Sequence, residues 1–272
     1  MKKTLLEILY ADVIFIVLLM LSSLFESLVS TAVYCAAFIL PILLLYLFWR
    51  KGERSFFSIS LLPNKKSFKE GIVFSPIFVA LVFFLAALTS IFFFIFGKET
   101  PQRELEDNLF YAIFLHALVP AAFEELLFRY MPIRALGAHS LKLTVIYSSL
   151  LFAFLHFDIV ALPYAFVSGI ILCSLDIITG SIFTSMLLHF VNNLISIAWQ
   201  VSDKGKAFMI AFFSTLGVLL MASIVYIILK RKSYKEKLFL IFADKSKLKI
   251  PLSLAVFLLI IFILSVWQFI TY

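Results

Sequence analysis

The sequence predicts an all-α fold, a polytopic transmembrane helical bundle of eight or nine spans, and two observations carry that prediction. The 272 residues are 63% hydrophobic with a mean hydropathy of +1.09, and only 14% are charged, where soluble domains carry about a quarter. The apolar residues also gather into repeated runs of roughly 17 to 25 residues, each long enough to cross a hydrocarbon core about 30 Å thick. Inside lipid the backbone must satisfy its own hydrogen bonds, so helices are the economical form for such runs. No linker, low-complexity tract or internal repeat divides the chain, and residues 1–272 read as a single integral membrane domain.

The elements follow in order. Lys2 and Lys3 precede the first run, 8–25. Glu7 and Asp12 interrupt its start and no small-x-small cleavage site follows, so it reads as an uncleaved span and not as a signal peptide. Runs at 28–48 and 72–96 flank a connection bearing Arg50, Lys51, Arg54, Lys65, Lys66 and Lys69. The next connection is acidic, with Glu99, Glu104, Glu106 and Asp107 against Lys98 and Arg103. Further spans are predicted at 109–131, 142–157, 160–178, 181–199 and 207–229, with Arg134 and Lys142 on the side of the first basic connection and Lys204 and Lys206 opposite. Eight Lys and Arg residues then fill 230–249, before a last run at 250–270. By the positive-inside rule this alternation puts the N-terminus in the cytoplasm and, with nine spans, the C-terminus outside. If the last run lies in the interface instead, the count is eight.

The net charge of +7 therefore belongs to topology and gives no reason to expect a nucleic-acid partner. The expected partner of the 230–249 segment is the anionic inner leaflet of the bilayer. Cys35 and Cys173 lie inside apolar runs without ligand spacing and read as small buried hydrophobes. A chain so rich in Lys, Ile and Phe suggests a bacterial plasma membrane.

A charged side chain in a span costs roughly 2.5–3.5 kcal/mol on insertion scales, so each one needs a partner or a task. The fourth span carries Glu124, Glu125 and Arg129. Glu125 and Arg129, four apart on one face, are spaced for a helix ion pair, and Glu124, about 100° away, keeps no local partner. The fifth span offers Phe152 and His156 one turn apart, and the seventh offers His189 and Asn193 on a shared face. Convergence of these helices satisfies all the polar groups together. A desolvated carboxylate with a histidine opposite suits activation of a water, and a second histidine with a carboxamide suits hydrogen bonding to an oxyanion. Asp12, His116, Asp158 and Asp176 are further intramembrane polar groups without a motif, and His139 sits in a polar connection.

In order and on separate helices, EExxxR at Glu124, Glu125 and Arg129, FxxxH at Phe152 and His156, and HxxxN at His189 and Asn193 resemble the CAAX-protease and bacteriocin-processing (CPBP, or Abi) family of intramembrane peptidases. The resemblance covers roughly residues 105–200 and implies a catalytic core there. It implies that Glu124 activates water with help from His156, that His189 and Asn193 form the oxyanion hole, and that Glu125, Arg129 and Phe152 give structural support. One departure is Tyr130, where family members often have glycine.

No cofactor is favoured. Zinc is the alternative, since Glu124, His156 and His189 offer a two-His, one-Glu ligand set, but HExxH spacing is lacking and Asn193 suits an oxyanion better than a metal. The expected substrate is a membrane-associated peptide or protein admitted from the cytoplasmic side. Competing readings are a non-proteolytic membrane scaffold or bacteriocin self-immunity protein of the same fold, for which an unpaired Glu124 has no use, and a proton-relay transporter, which calls for broken helices or repeated halves. Depth sets a condition on any shared site. At 1.5 Å per residue Glu124 counts roughly 10 Å and His156 about 20 Å from the inner face. The 132–142 connection must then sink into the bundle or the fifth span must tilt, and Pro120 and Pro132 can kink or end the fourth helix.

Overall fold

The computed structural model describes residues 2–22, 24–25, 27–50, 56–95, 108–154, 156, 159–202 and 205–243, with residues 256, 257, 259, 260, 262, 263 and 266 of the final stretch. Lys51, Arg54, the acidic connection from Lys98 to Asp107, Asp158, Lys204, Lys245, Lys247, Lys249 and most of the 250–270 run lie outside the described residues.

Eight helical elements are described: α1 (Lys2–Ser22), α2 (Ser27–Arg50), α3 (Lys65–Ile95), α4 (Leu109–Leu136), α5 (Leu141–Phe154), α6 (Leu162–Thr179), α7 (Phe183–Val201) and α8 (Lys206–Phe242). Among the described residues no strand forms, and one isolated bridge pairs Ser60 with Ser181. The chain is an integral membrane protein, and among the described residues five helices are long and apolar enough to cross a bilayer: Val29–Arg50, Lys65–Ile95, Leu109–Leu136, Leu162–Thr179 and Lys206–Phe242. The eight or nine spans expected are met in part. Helix α5 has 14 residues, about 21 Å of rise, and α7 turns a polar face inward with His189, Asn192 and Asn193, while the side chains at the start of α1 and most of the 250–270 run lie outside the described residues.

Successive helices alternate in direction. Trp49 Nε1 donates to Glu7 Oε2 (3.1 Å), joining the end of α2 to the start of α1. Helix α3 begins where Asn64 and Ser67 cap one another, the Ser67 N–H donating to Asn64 Oδ1 and the Asn64 N–H to Ser67 Oγ, both at 2.8 Å. It then runs parallel to α7, through ring contacts of Phe68 with Phe183 and Phe83 with Trp199. Gly71 lets the two approach, for a Cβ there would stand 2.8 Å from Leu187 Cδ2. Helix α6 ends at Gly180, whose φ of 76° reverses the chain into α7.

Helix α4 runs through both of its prolines. It widens into π-helical turns at Phe114–Leu118 and Leu126–Tyr130, directly before Pro120 and Pro132. Proline lacks an N–H and its ring presses on the carbonyl four residues back, and a wider turn at that point makes room for it. The helix thus ends at Leu136, five residues later than the predicted 131.

The end of the bundle bearing the basic residues is closed by the 56–64 segment. Its Phe57 and Ser60 N–H groups donate to the carbonyls of Arg134 (2.9 Å) and Gly180 (3.0 Å), and Ser60 accepts from the Ile182 N–H (3.1 Å). Ser181 Oγ donates to Leu62 O (2.9 Å), and Lys66 Nζ caps the carbonyl of Ile178.

Candidate active site

Seven helical elements, α1 to α7, contribute to the lining of a cavity of about 680 Å³. Glu124 and Pro120 come from α4, Phe152 from α5 with His156 just past its end, and His189, Asn192 and Asn193 from α7. The four residues expected to do chemistry, Glu124, His156, His189 and Asn193, thus all line the same cavity. The depth condition is met by the longer α4. Counted from Leu136, Glu124 lies about 18 Å along its helix, and His156, counted from Leu141, about 22 Å.

Glu124 is half-buried, and among the described residues its carboxylate has no hydrogen-bond or ion-pair partner. Its neighbour is in the opposite situation. Glu125 is fully buried; its Oε1 meets His189 Nδ1 at 2.8 Å and its Oε2 stands 3.4 Å from Arg129 Nε. The helix pair spaced out in the sequence is there, and it extends to a third member on α7. The fully buried Arg129 guanidinium lies 3.9 Å from the centre of the Phe152 ring, a cation–π contact in a desolvated place. Phe152 touches both histidine rings edge-on, with centroids 4.7 Å from His156 and 5.7 Å from His189. His156 Nδ1 bonds the Phe152 carbonyl at 2.7 Å, as a residue at a helix C-terminus can. Asn193 Oδ1 accepts a long bond of 3.4 Å from Asn192.

One residue in the cluster lacked a motif in the sequence. Asp176 on α6 is fully buried, accepts the Ser185 N–H at 2.9 Å through Oδ1, and interacts electrostatically with Glu125 and Arg129. Its signal in the sequence is an acid deep in an apolar run, and nothing there says which helix it faces. Of the others, His116 lines the cavity two turns above Glu124, while Asp12 accepts from Tyr147 Oη (3.0 Å) and ties α1 to α5. Cys173 is buried and Cys35 half-buried, and both are free thiols. Among the described residues no three His, Cys, Asp or Glu side chains come close enough together to hold one metal ion, Glu124, His156 and His189 included.

Residues 106–195 match the family model described as type II CAAX prenyl endopeptidase Rce1-like, within the CPBP family. That stretch is similar to the Rce1-like family. The matched stretch holds all seven motif residues and covers α4 to most of α7, about a third of the chain. Rce1-like proteins are generally proteases of the CAAX type, embedded in the membrane. No curated protein and no solved structure matches it.

Proposed function

We propose that the protein is an intramembrane endopeptidase that hydrolyses a peptide bond in a membrane-associated peptide or protein with a water activated by Glu124. The observation that carries this reading is Glu124 itself, an acid without a partner among the described residues, opening onto a cavity shared with His156, His189 and Asn193. The carboxylate takes a proton from water, with His156 orienting it, as the water oxygen bonds to the carbonyl carbon. The oxyanion receives hydrogen bonds from Asn193 and His189. When the C–N bond breaks, the proton held by Glu124 passes to the departing amine.

An ionised Glu125 only accepts hydrogen bonds, so Nδ1 of His189 donates to it. In the doubly protonated ring Nε2–H then remains for the oxyanion, and the buried carboxylate is the counter-ion for that ring. No metal enters this scheme. In the same reading the N-terminus lies in the cytoplasm and the membrane is a bacterial plasma membrane.

Peptides released from cells carrying wild type or Glu124→Gln at equal membrane abundance test the proposal. General-base catalysis contributes about 10²–10⁴-fold, so the variant should lose at least about a hundredfold in product, and chelators should leave wild-type activity unchanged. Equal product from both proteins sinks the peptidase reading and favours a scaffold.

A further inference from the structure

We infer that substrate reaches Glu124 from the end of the bundle opposite the basic connections, so that the scissile segment belongs to a polypeptide presented on the extracytoplasmic face of the membrane. This rests on the peptidase reading above, and it reverses the cytoplasmic access expected from the sequence.

Most of the cavity lies above the site, with Phe128, one turn below Glu124, at its lower end. Every helix can be measured from its basic end at 1.5 Å per residue. On α7, His189 is about 9 Å up, Asn193 about 15 Å and Trp199 about 24 Å; on α4, Glu124 is about 18 Å up and His116 about 30 Å; on α3, the lining runs from Phe78 at about 20 Å to Ser90 at about 37 Å. Tyr34 on α2, counted from Arg50, adds about 24 Å. The other seven thus lie at or above the level of His189, and they run toward the far end.

Below the site the bundle is shut twice. The first layer is polar and buried: Glu125, Arg129, Asp176, Thr184 and Ser185 are all fully buried, and Thr179 Oγ1 meets Thr184 Oγ1 at 2.7 Å. Beneath it lies the 56–64 segment, pinned by the Ser60–Gly180 and Ser60–Ile182 backbone bonds. A substrate coming from that side would have to displace both layers and leave buried charges unpaired. From the other side it meets a cavity of about 680 Å³, within the range of about 300–1,000 Å³ that takes a sizeable ligand. Which end is which follows from charge. Arg50, Lys65, Lys66, Lys69, Arg134, Lys142, Lys230 and Arg231 all sit at the shut end, and basic connections stay in the cytoplasm.

Single cysteines in the full chain test this, in a background where Cys35→Ser and Cys173→Ala remove the native thiols, with a charged membrane-impermeant maleimide as probe. In intact cells Ser90→Cys and Ser196→Cys on the cavity wall should label, and Ser60→Cys should label only after permeabilisation. The reverse pattern overturns the inference. A second measurement uses wild-type protein, comparing Glu124-dependent cleavage of a quenched peptide library in right-side-out and inside-out vesicles. Faster cleavage in right-side-out vesicles is expected, and faster cleavage in inside-out vesicles overturns it. Outside labelling without any Glu124-dependent cleavage removes the peptidase reading alone and leaves the direction of access standing.

Discussion

Two adjacent glutamates in one helix have opposite environments, and the difference sets what each substitution should do. Glu125 is locked between Arg129 and His189 with no exposed surface. Removing one member of a buried ion pair strands the other and costs about 3–5 kcal/mol. Arg129→Ala should therefore lower thermal stability in detergent by about that amount and reduce membrane abundance, whereas Glu124→Gln, at a site without a partner, should melt with the wild type. Glu125→Gln is the informative intermediate. It keeps the shape but loses the charge opposite His189, so cleavage should fall much further than melting temperature. The spacing of Glu125 and Arg129 was legible because both sit on one helix, where geometry follows from the count of residues. The bond from Glu125 to His189 was not, because it crosses 64 positions of chain and depends on how α4 and α7 are rotated against each other. Asp176 was illegible as a member for the same reason.

Among the helices, apolar runs and prolines differ in how much of the structure they determine. Apolar runs gave the cores of the eight described helices to within a few residues, because burial in lipid depends on composition alone. Helix ends were misjudged where polar residues continue the helix beyond the hydrocarbon: α3 starts at Lys65 and not at 72, and α8 continues to Phe242 and not to 229. Pro132 looked like a stop, and the π turn before it carries the helix past it. Close packing between apolar helix faces was not legible, and Gly169 shows why that matters. It lies in α6 against α5, where a Cβ would stand 2.8 Å from the Ser149 Cα, a backbone atom that cannot swing aside. Forcing side-chain atoms into packed space costs about 1–3 kcal/mol. Gly169→Val should cost at least that much in stability and, by shifting α5 with Phe152 and His156, reduce cleavage further. Gly217→Val, where a Cβ meets nothing within 4 Å, is the control that should change neither.

For the whole molecule the unresolved choice was eight traverses or nine, and packing of the final stretch bears on it. Counting the described helices, the chain goes up and down four times, so that Phe242 returns to the basic end where Lys2 begins. There the Glu70 carboxylate of α3 accepts a hydrogen bond from Tyr234 Oη of α8, fixing the two helices at that level. Phe262 lies beyond the basic 230–249 segment, yet its ring packs edge-on against Phe154, with centroids 6.1 Å apart. Phe154 is thirteen residues up α5 from Leu141, about 20 Å above the basic end. A segment lying flat in the interface has no means of reaching it. A reporter fused after Ala243 should therefore be active on the same side as one fused before Lys2, and a reporter fused after Tyr272 on the opposite side, giving nine traverses. Equal sidedness of all three would leave eight, with Phe262 reaching Phe154 by a turn inside the membrane.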